Sequence, residues 1–233
     1  MMTYVFASRT PWPIDAMIER RHRLPGQWIT IADRADLTSE FLKAAAPRYV
    51  FFPHWSWIVP EAILGSYECV CFHMTDVPFG RGGSPLQNLI VRGVRTTRLT
   101  ALRMEAELDA GPVYGKRDLD LSGPARTILK RAAALTLDMI EWIVAEEPVP
   151  VLQSGDPTFF KRRRPEESVL PDAGTIEAVY DHIRMLDADC YPPAFLNHGG
   201  WRLELSEASL AGNAVEARVR IVRAGRSEAD AGR

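Results

Sequence analysis

Two titratable side chains, His73 and Asp109, lie in the stretches of this sequence best suited to chemistry. His73 closes the run Cys69-Val70-Cys71-Phe72-His73, whose apolar, β-rich character predicts a buried strand over 68–72 with the histidine near its end. Side chains alternate along a strand, so Cys69, Cys71 and His73 share one face while Val70 and Phe72 take the other. In an open parallel sheet, ligands bind outside the carboxyl ends of the strands, which gives an imidazole there a use in proton transfer. The segment Thr75-Asp76-Val77-Pro78-Phe79-Gly80-Arg81-Gly82-Gly83-Ser84-Pro85 comes directly after it. It reads as a glycine-dense loop that lets a substrate approach the backbone closely. A second loop, Glu107-Leu108-Asp109-Ala110-Gly111-Pro112, sets a carboxylate beside a glycine between two extended runs. Each signal also has a structural reading: a single histidine usually packs, Asp-x-Gly is a common turn, and Cys71 is a small buried hydrophobe.

The elements that would hold these groups show a β-helix alternation over 1–150, the pattern of parallel sheets built from βαβ units. Strands are predicted at Tyr4–Ala7, Trp28–Ile31 and Tyr49–Phe52 ahead of the His73 strand, with extended runs at Leu99–Met104 and Val113–Leu121 after it. Helices are predicted from Thr10-Pro11 through Ile18, over Leu37–Ala45, over Ser84–Val91 and over Thr127–Val144. In the last of these, Ile128, Ala132, Leu135, Met139 and Ile143 form one apolar stripe. Residues 151–174, rich in proline and charge and including Lys161-Arg162-Arg163-Arg164, read as a solvated connector. A small appendage is expected over 175–224. It combines an amphipathic helix through Ile176, Val179, Tyr180 and Ile183 with a hairpin of two alternating runs around Gly212-Asn213. Residues 225–233 read as a flexible tail.

Composition narrows the function classes. The 233 residues are 46% hydrophobic and 25% charged, enough apolar material to bury a core without disulfide or metal staples. Three cysteines with no CxxC pair offer no zinc tetrad, so no metal is expected. With 28 Lys and Arg against 30 Asp and Glu, the overall field attracts no polyanion, and nucleic acid is not expected as the main partner. The absence of a long apolar run or a secretory-type start predicts a cytoplasmic protein without a membrane partner. A homodimer is compatible with the sequence, which does not fix the oligomeric state.

Taken in order, His73-Met74-Thr75-Asp76-Val77-Pro78-Phe79-Gly80-Arg81-Gly82-Gly83-Ser84-Pro85, then Gly93, Thr96 and Thr100, then Leu108-Asp109-Ala110-Gly111-Pro112, resemble the signature of the folate-dependent formyltransferases. That family includes methionyl-tRNA formyltransferase and the amino-sugar N-formyltransferases. The resemblance implies an α/β fold, with a Rossmann-like domain on a mostly parallel sheet and a small C-terminal α+β appendage. It also implies N10-formyltetrahydrofolate as co-substrate, a primary amine as acceptor, and His73 and Asp109 as the catalytic pair. Amine attack on a formamide-like carbon builds an oxyanion and a cationic nitrogen, which calls for a donor and a proton acceptor. Asp109 is expected to favour charged His73 by direct attraction.

The resemblance also implies an asparagine two positions before the histidine, where this chain has Cys71. Three readings are open. Thr75, Thr97 or a loop amide replaces the missing donor; Cys71 is a nucleophile activated by His73; or the protein is a binder that has lost its rate. Hydrolysis of the donor is a further outcome open to the same pair.

By position, the family's pterin pocket falls on Trp55, Ser56, Trp57 and Ile58, completed by Met104, Glu107 and Leu108. The acceptor side falls on Ser8, Arg9 and Thr10, where a helix start favours anions, and on Arg81, Gly82 and Gly83. Arg81 has a rival role in pinning its loop. Ile183–Phe195 and Gly200-Trp201-Arg202-Leu203 resemble the opening of the tRNA-formylating enzymes' C-terminal domain, but the residues after 203 are too few for their barrel. The acceptor expected first is therefore an amino sugar, free or nucleotide-linked, and second an ornithine-like amine.

Overall fold

The computed structural model describes residues 1–224; the expected tail, 225–233, lies outside the described residues. These residues fall into two compact units. The first comprises Met1–Pro85, Arg95–Leu121 and Ile128–Lys161, and the second Leu86–Val94, Ser122–Thr127 and the residues from Arg162 onward. The division is not contiguous, whereas the sequence suggests boundaries at 150 and 174. Two short segments of the first 150 residues pack with the C-terminal part, a pairing that no local signal encodes.

The first unit is built on a six-stranded sheet. Its strands β1 (Thr3–Ala7), β2 (Gln27–Ile31), β3 (Tyr49–Phe52) and β4 (Cys69–His73) run parallel. After the short β5 (Arg81–Gly82), β6 (Thr96–Arg103) and β7 (Val113–Asp120) add an antiparallel edge, giving the order β2-β1-β3-β4-β6-β7. The continuous apolar runs of β1 and β3 suit strands covered on both faces. Val5, Ala7, Val50, Phe52 and Cys69 pack on one face with Leu42 and Ile63, from the helices α2 (Ser39–Ala45) and α3 (Glu61–Leu64). The predicted helix from Leu37 starts later because the Thr38 hydroxyl accepts from Phe41 N and so caps it there.

On the other face, Phe6, Phe72 and Leu99 line a small cavity together with Trp12 of α1 (Pro11–Arg20) and Ala132, Thr136 and Leu137 of a later helix, α5 (Ala125–Glu146). The connections reverse direction between β1 and β3, so the loops after β1, β3 and β4 gather at one end of the sheet.

The predicted connector is more than a solvated tether. Val151 pairs with Val113 through two backbone bonds of 2.7 and 2.9 Å, and β8 (Phe159–Phe160) pairs in parallel with β5. Both partners lie far upstream, which is why a proline-rich segment without periodicity hid the pairing.

In the second unit, Leu86, Leu89 and Ile90 of α4 (Pro85–Val91) are buried. Helix α6 (Ile176–Arg184) is capped by Thr175, whose hydroxyl accepts from Ala178 N. The fully buried Arg184 donates to Asp181 at 2.6 Å and to Gly123 O at 2.9 Å, and Asp187 accepts from Arg126 and from Glu207 N. The expected hairpin is present as β10 (Trp201–Ala211) and β11 (Ala214–Arg223), turning at Gly212. A strand not predicted, β9 (Ala194–His198), pairs with β10 and makes the sheet three-stranded.

Candidate active site

The imidazole of His73 is held by its surroundings before any substrate is considered. It ends β4, is 8% exposed, and its Nε2 lies 2.8 Å from the Gly80 carbonyl oxygen. A carbonyl only accepts, so Nε2 carries a proton and donates it there. The other ring nitrogen, Nδ1, faces Oδ2 of Asp109 at 3.5 Å, with both side chains about nine-tenths buried. Nδ1 thus has a carboxylate oxygen as its partner whenever it carries a proton. Asp109 Oδ2 also accepts from Gly82 N at 2.9 Å. The pair therefore sets one ring nitrogen against a carboxylate that can take or return a proton.

The backbone makes this approach possible in two places. Gly82 has φ +104°, and a Cβ added there would lie 2.5 Å from the Phe160 carbonyl oxygen. Asp109 itself has φ +54°, a left-handed conformation costing an L-residue about 1–3 kcal/mol unless its neighbours enforce it. Those neighbours are visible: besides Gly82 N, Gln153 Nε2 donates to the carbonyls of Asp109 and Gly111, each at 2.8 Å. Sequence reasoning missed Gln153 and Thr158, the latter bonded to Gly80 N through its hydroxyl and to Arg81 N through its carbonyl. No local signal marks either residue, since their partners lie more than 40 positions away.

Several expected roles change in the structure. Arg81 is buried and donates to Gln153 Oε1 from Nε (3.2 Å) and Nη2 (2.9 Å), and to Glu107 from Nη1. Its guanidinium pins the aspartate loop rather than waiting for an anion. Gly82 N and Gly83 N, expected at the substrate, are bonded to Asp109 and to Phe160 O. The Ser8 side chain is fully buried and donates to Thr10 O, so it presents nothing to an acceptor. Arg9 remains at the surface, stacked over Trp57 at 5.5 Å, and the Thr10 hydroxyl oxygen is buried without a partner.

The expected substitutes for the missing asparagine are also engaged. Thr75 donates to Gly80 O, Thr97 to Met74 O, and the four amides from Gly80 to Gly83 all donate to protein oxygens. Beside these groups, His73 Nδ1, when it carries a proton, is the remaining candidate donor to an oxyanion.

Cys71 lies on the His73 face of β4, partly buried and packed, as Trp55 and Met104 are, against the core cluster of that face. Burial first, and then the charge of Asp109, pushes its thiol above the ordinary range. A thiolate nucleophile is thus disfavoured. Replacement Cys71→Ala is expected to leave the turnover number within about threefold, and iodoacetamide at neutral pH to spare Cys71 while it reacts with exposed Cys190. Loss of activity on alkylation of Cys71 would contradict this.

The loop after β3 carries Trp55 and Trp57 edge to face at 4.8 Å, with Trp55 also edge-on to Phe52. Trp55 Nε1 is buried without a partner, Ser56 and Ile58 are exposed, and Leu108 and Glu107 stand out from the aspartate loop. His54, next to them, has its imidazole pushed down to about 4 by burial and lines the apolar cavity on the opposite face of the sheet from His73. That cavity is a feature of packing rather than of catalysis, because its lining is apolar apart from His54, Thr136 and the indole of Trp12.

Comparison with known proteins agrees with this geometry. A solved structure described as methionyl-tRNA formyltransferase from Clostridium thermocellum is similar at 41% identity and a TM-score of 0.93, covering 96% of this chain and 100% of that one. This chain belongs to the formyltransferase family. Residues 165–222 of this formyltransferase match the family described as methionyl-tRNA formyltransferase, C-terminal domain. The methionyl-tRNA formyltransferase of Wolinella succinogenes is 29% identical over 174 residues, 72% of this chain and 55% of that protein. The chain thus spans little more than half the length of that curated relative. A formyltransferase from Anoxybacillus kamchatkensis, solved in complex with UDP-4,6-dideoxy-4-formamido-L-AltNAc and tetrahydrofolate, shares the fold at 13% identity and a TM-score of 0.54, covering 68% of this chain and 85% of that one.

Proposed function

We propose that this formyltransferase carries a formyl group from N10-formyltetrahydrofolate to the primary amine of a small metabolite, with an amino sugar, free or nucleotide-linked, as first acceptor. The observation that carries the reading is the His73–Asp109 pair, 3.5 Å apart and shielded from water, with the ring oriented by Gly80 O. The co-substrate supplies an activated formyl carbon. His73 Nδ1 holds the proton that stabilises charge growing on the formyl oxygen, and Asp109 takes the proton the amine loses. As the new C–N bond forms the C–N10 bond breaks, and the proton taken by Asp109 passes to N10 of the released tetrahydrofolate.

The residues near the pair suit a flat heterocycle. Trp55 and Met104 present apolar surface on the Cys71 side, and the buried, unpartnered indole N–H of Trp55 suits a ring that brings its own acceptors. The formamido sugar and tetrahydrofolate in the Anoxybacillus protein support the same pairing of donor and acceptor classes. Although the most similar relatives are named for tRNA, residues 165–222 here carry ten Asp and Glu against four Arg and no Lys. A phosphate backbone requires the opposite balance. An ornithine-like amine is the second acceptor class. Among the described residues no helix is long and apolar enough to cross a membrane. We place the reaction in the cytoplasm, where the free thiols of Cys69, Cys71 and Cys190 stay reduced.

The test is incubation with N10-formyltetrahydrofolate and a panel of nucleotide-linked amino sugars, free amino sugars, ornithine, initiator methionyl-tRNA and water alone. Products are tracked by mass spectrometry. A formamide on an amino sugar, with tetrahydrofolate released in equal amount, is expected. Folate binding without product from any amine, or formate release without an acceptor, overturns the assignment in favour of a binder or a hydrolase.

A further inference from the structure

We propose that Gln153 is a positioning residue whose carboxamide holds the Asp109 loop in register with His73, so that the segment after α5 completes the site. Only the rate arm of the test below rests on the formyl-transfer reading.

A glutamine amide has two N–H donors and two acceptor positions on its oxygen. Here all four are used. Nε2 donates to the carbonyls of Asp109 and Gly111, while Oε1 accepts from Nε and Nη2 of Arg81. The orientation is forced by chemistry, because a guanidinium only donates and a carbonyl only accepts. Arg81 also ties to Glu107, so Gln153 and Arg81 together hold the aspartate loop at residues 107, 109 and 111.

That loop has reason to move without such ties. Asp109 sits at φ +54°, a conformation an aspartate keeps only when its surroundings over-determine it. Its carboxylate has one tether of its own, Gly82 N at 2.9 Å. Gly82 is the neighbour of Arg81, so the same amide fastens the loop from two sides. The backbone of residue 109 is fixed by Gln153 and its carboxylate by Gly82, which leaves Oδ2 facing Nδ1 of His73. Gln153 stands only two residues beyond the Val151–Val113 pairing, so a strand-like bridge sets its reach.

Two substitutions separate positioning from mere support. Gln153→Glu keeps the volume and the Arg81 partner but turns both donors into acceptors facing carbonyl oxygens. Gln153→Met keeps the length and removes every hydrogen bond. The direct readout is amide hydrogen exchange at Gly82, whose N–H rests on the Asp109 carboxylate, measured by NMR. In both variants it is expected to quicken about tenfold, while amides of β1 and β3 stay within about twofold of the parent. The rate arm is expected to show kcat for formyl transfer falling about thirtyfold to a hundredfold, with KM for N10-formyltetrahydrofolate changing less than about threefold.

A purely structural residue would quicken exchange across the sheet and leave kcat per folded molecule unchanged, which overturns the proposal. Unchanged protection of Gly82 in either folded variant overturns it as well. Where the parent protein formylates no amine, the reading of its activity fails, and the Gly82 exchange still decides the positioning role.

Discussion

Replacing Asp109 by asparagine is expected to lower kcat for formyl transfer by about a thousandfold or more, with the fold and the affinity for folate retained. The substitution preserves shape but removes the charge beside the ring. The carboxamide oxygen can still accept from Gly82 N. That same oxygen faces Nδ1 of His73, whose Nε2 proton is already committed to Gly80 O, so an uncharged oxygen stands where the carboxylate did. A neutral amide oxygen holds no charge to favour a proton on Nδ1, and no carboxylate remains to take the amine proton. Donor and acceptor are lost in one change. Rates of formamide production at saturating donor, with folate affinity measured by tryptophan fluorescence, check it. Retention of more than a tenth of the parent rate would remove Asp109 from the mechanism.

Cys71→Asn is expected to act in the other direction, raising kcat by about tenfold to a hundredfold. An oxyanion donor is worth about a hundredfold to a thousandfold in sites built around it, and part of that is recovered when the amide enters a site shaped for sulfur. The expectation rests on the observation that the candidate substitutes already have acceptors: Thr75, Thr97 and the amides from Gly80 to Gly83 donate to protein oxygens. A carboxamide on the His73 face of β4 would add a donor without competing for any of them. A rate lower than the parent's would mean that the pocket is matched to sulfur and that the oxyanion is held elsewhere.

Much of the fold was legible because its signals are local. Tyr4–Ala7 and Tyr49–Phe52 are short apolar runs bounded by polar or proline-containing turns, and each forms a buried parallel strand. The alternation along Cys69–His73 placed the imidazole and both thiols on one face. The loop of Asp109 was legible as a turn, and its approach to His73 was expected through resemblance rather than from spacing. The hidden features depend on partners distant in the chain. Gln153 and Arg81 are separated by 72 positions, and Arg81 looked like an anion site until its carboxamide partner was seen. The glycines at 82 and 83 suggested an open backbone, yet their amides are filled by Asp109 and Phe160. Strand β9 escaped notice because five residues ending in Asn197-His198 carry no clear alternation and gain their pairing from β10.

The central claim is that the imidazole at 73 and the acid at 109 serve one reaction centre that takes a folate-borne formyl group. A crystal structure with a non-reactive 10-formyl folate analogue tests this most directly. The expected result places the formyl oxygen within hydrogen-bond reach of His73 Nδ1, about 2.6–3.2 Å, with the heterocycle against Trp55 and Met104. An analogue bound away from His73, or an Asp109 side chain turned out of the cleft when it binds, would contradict the account.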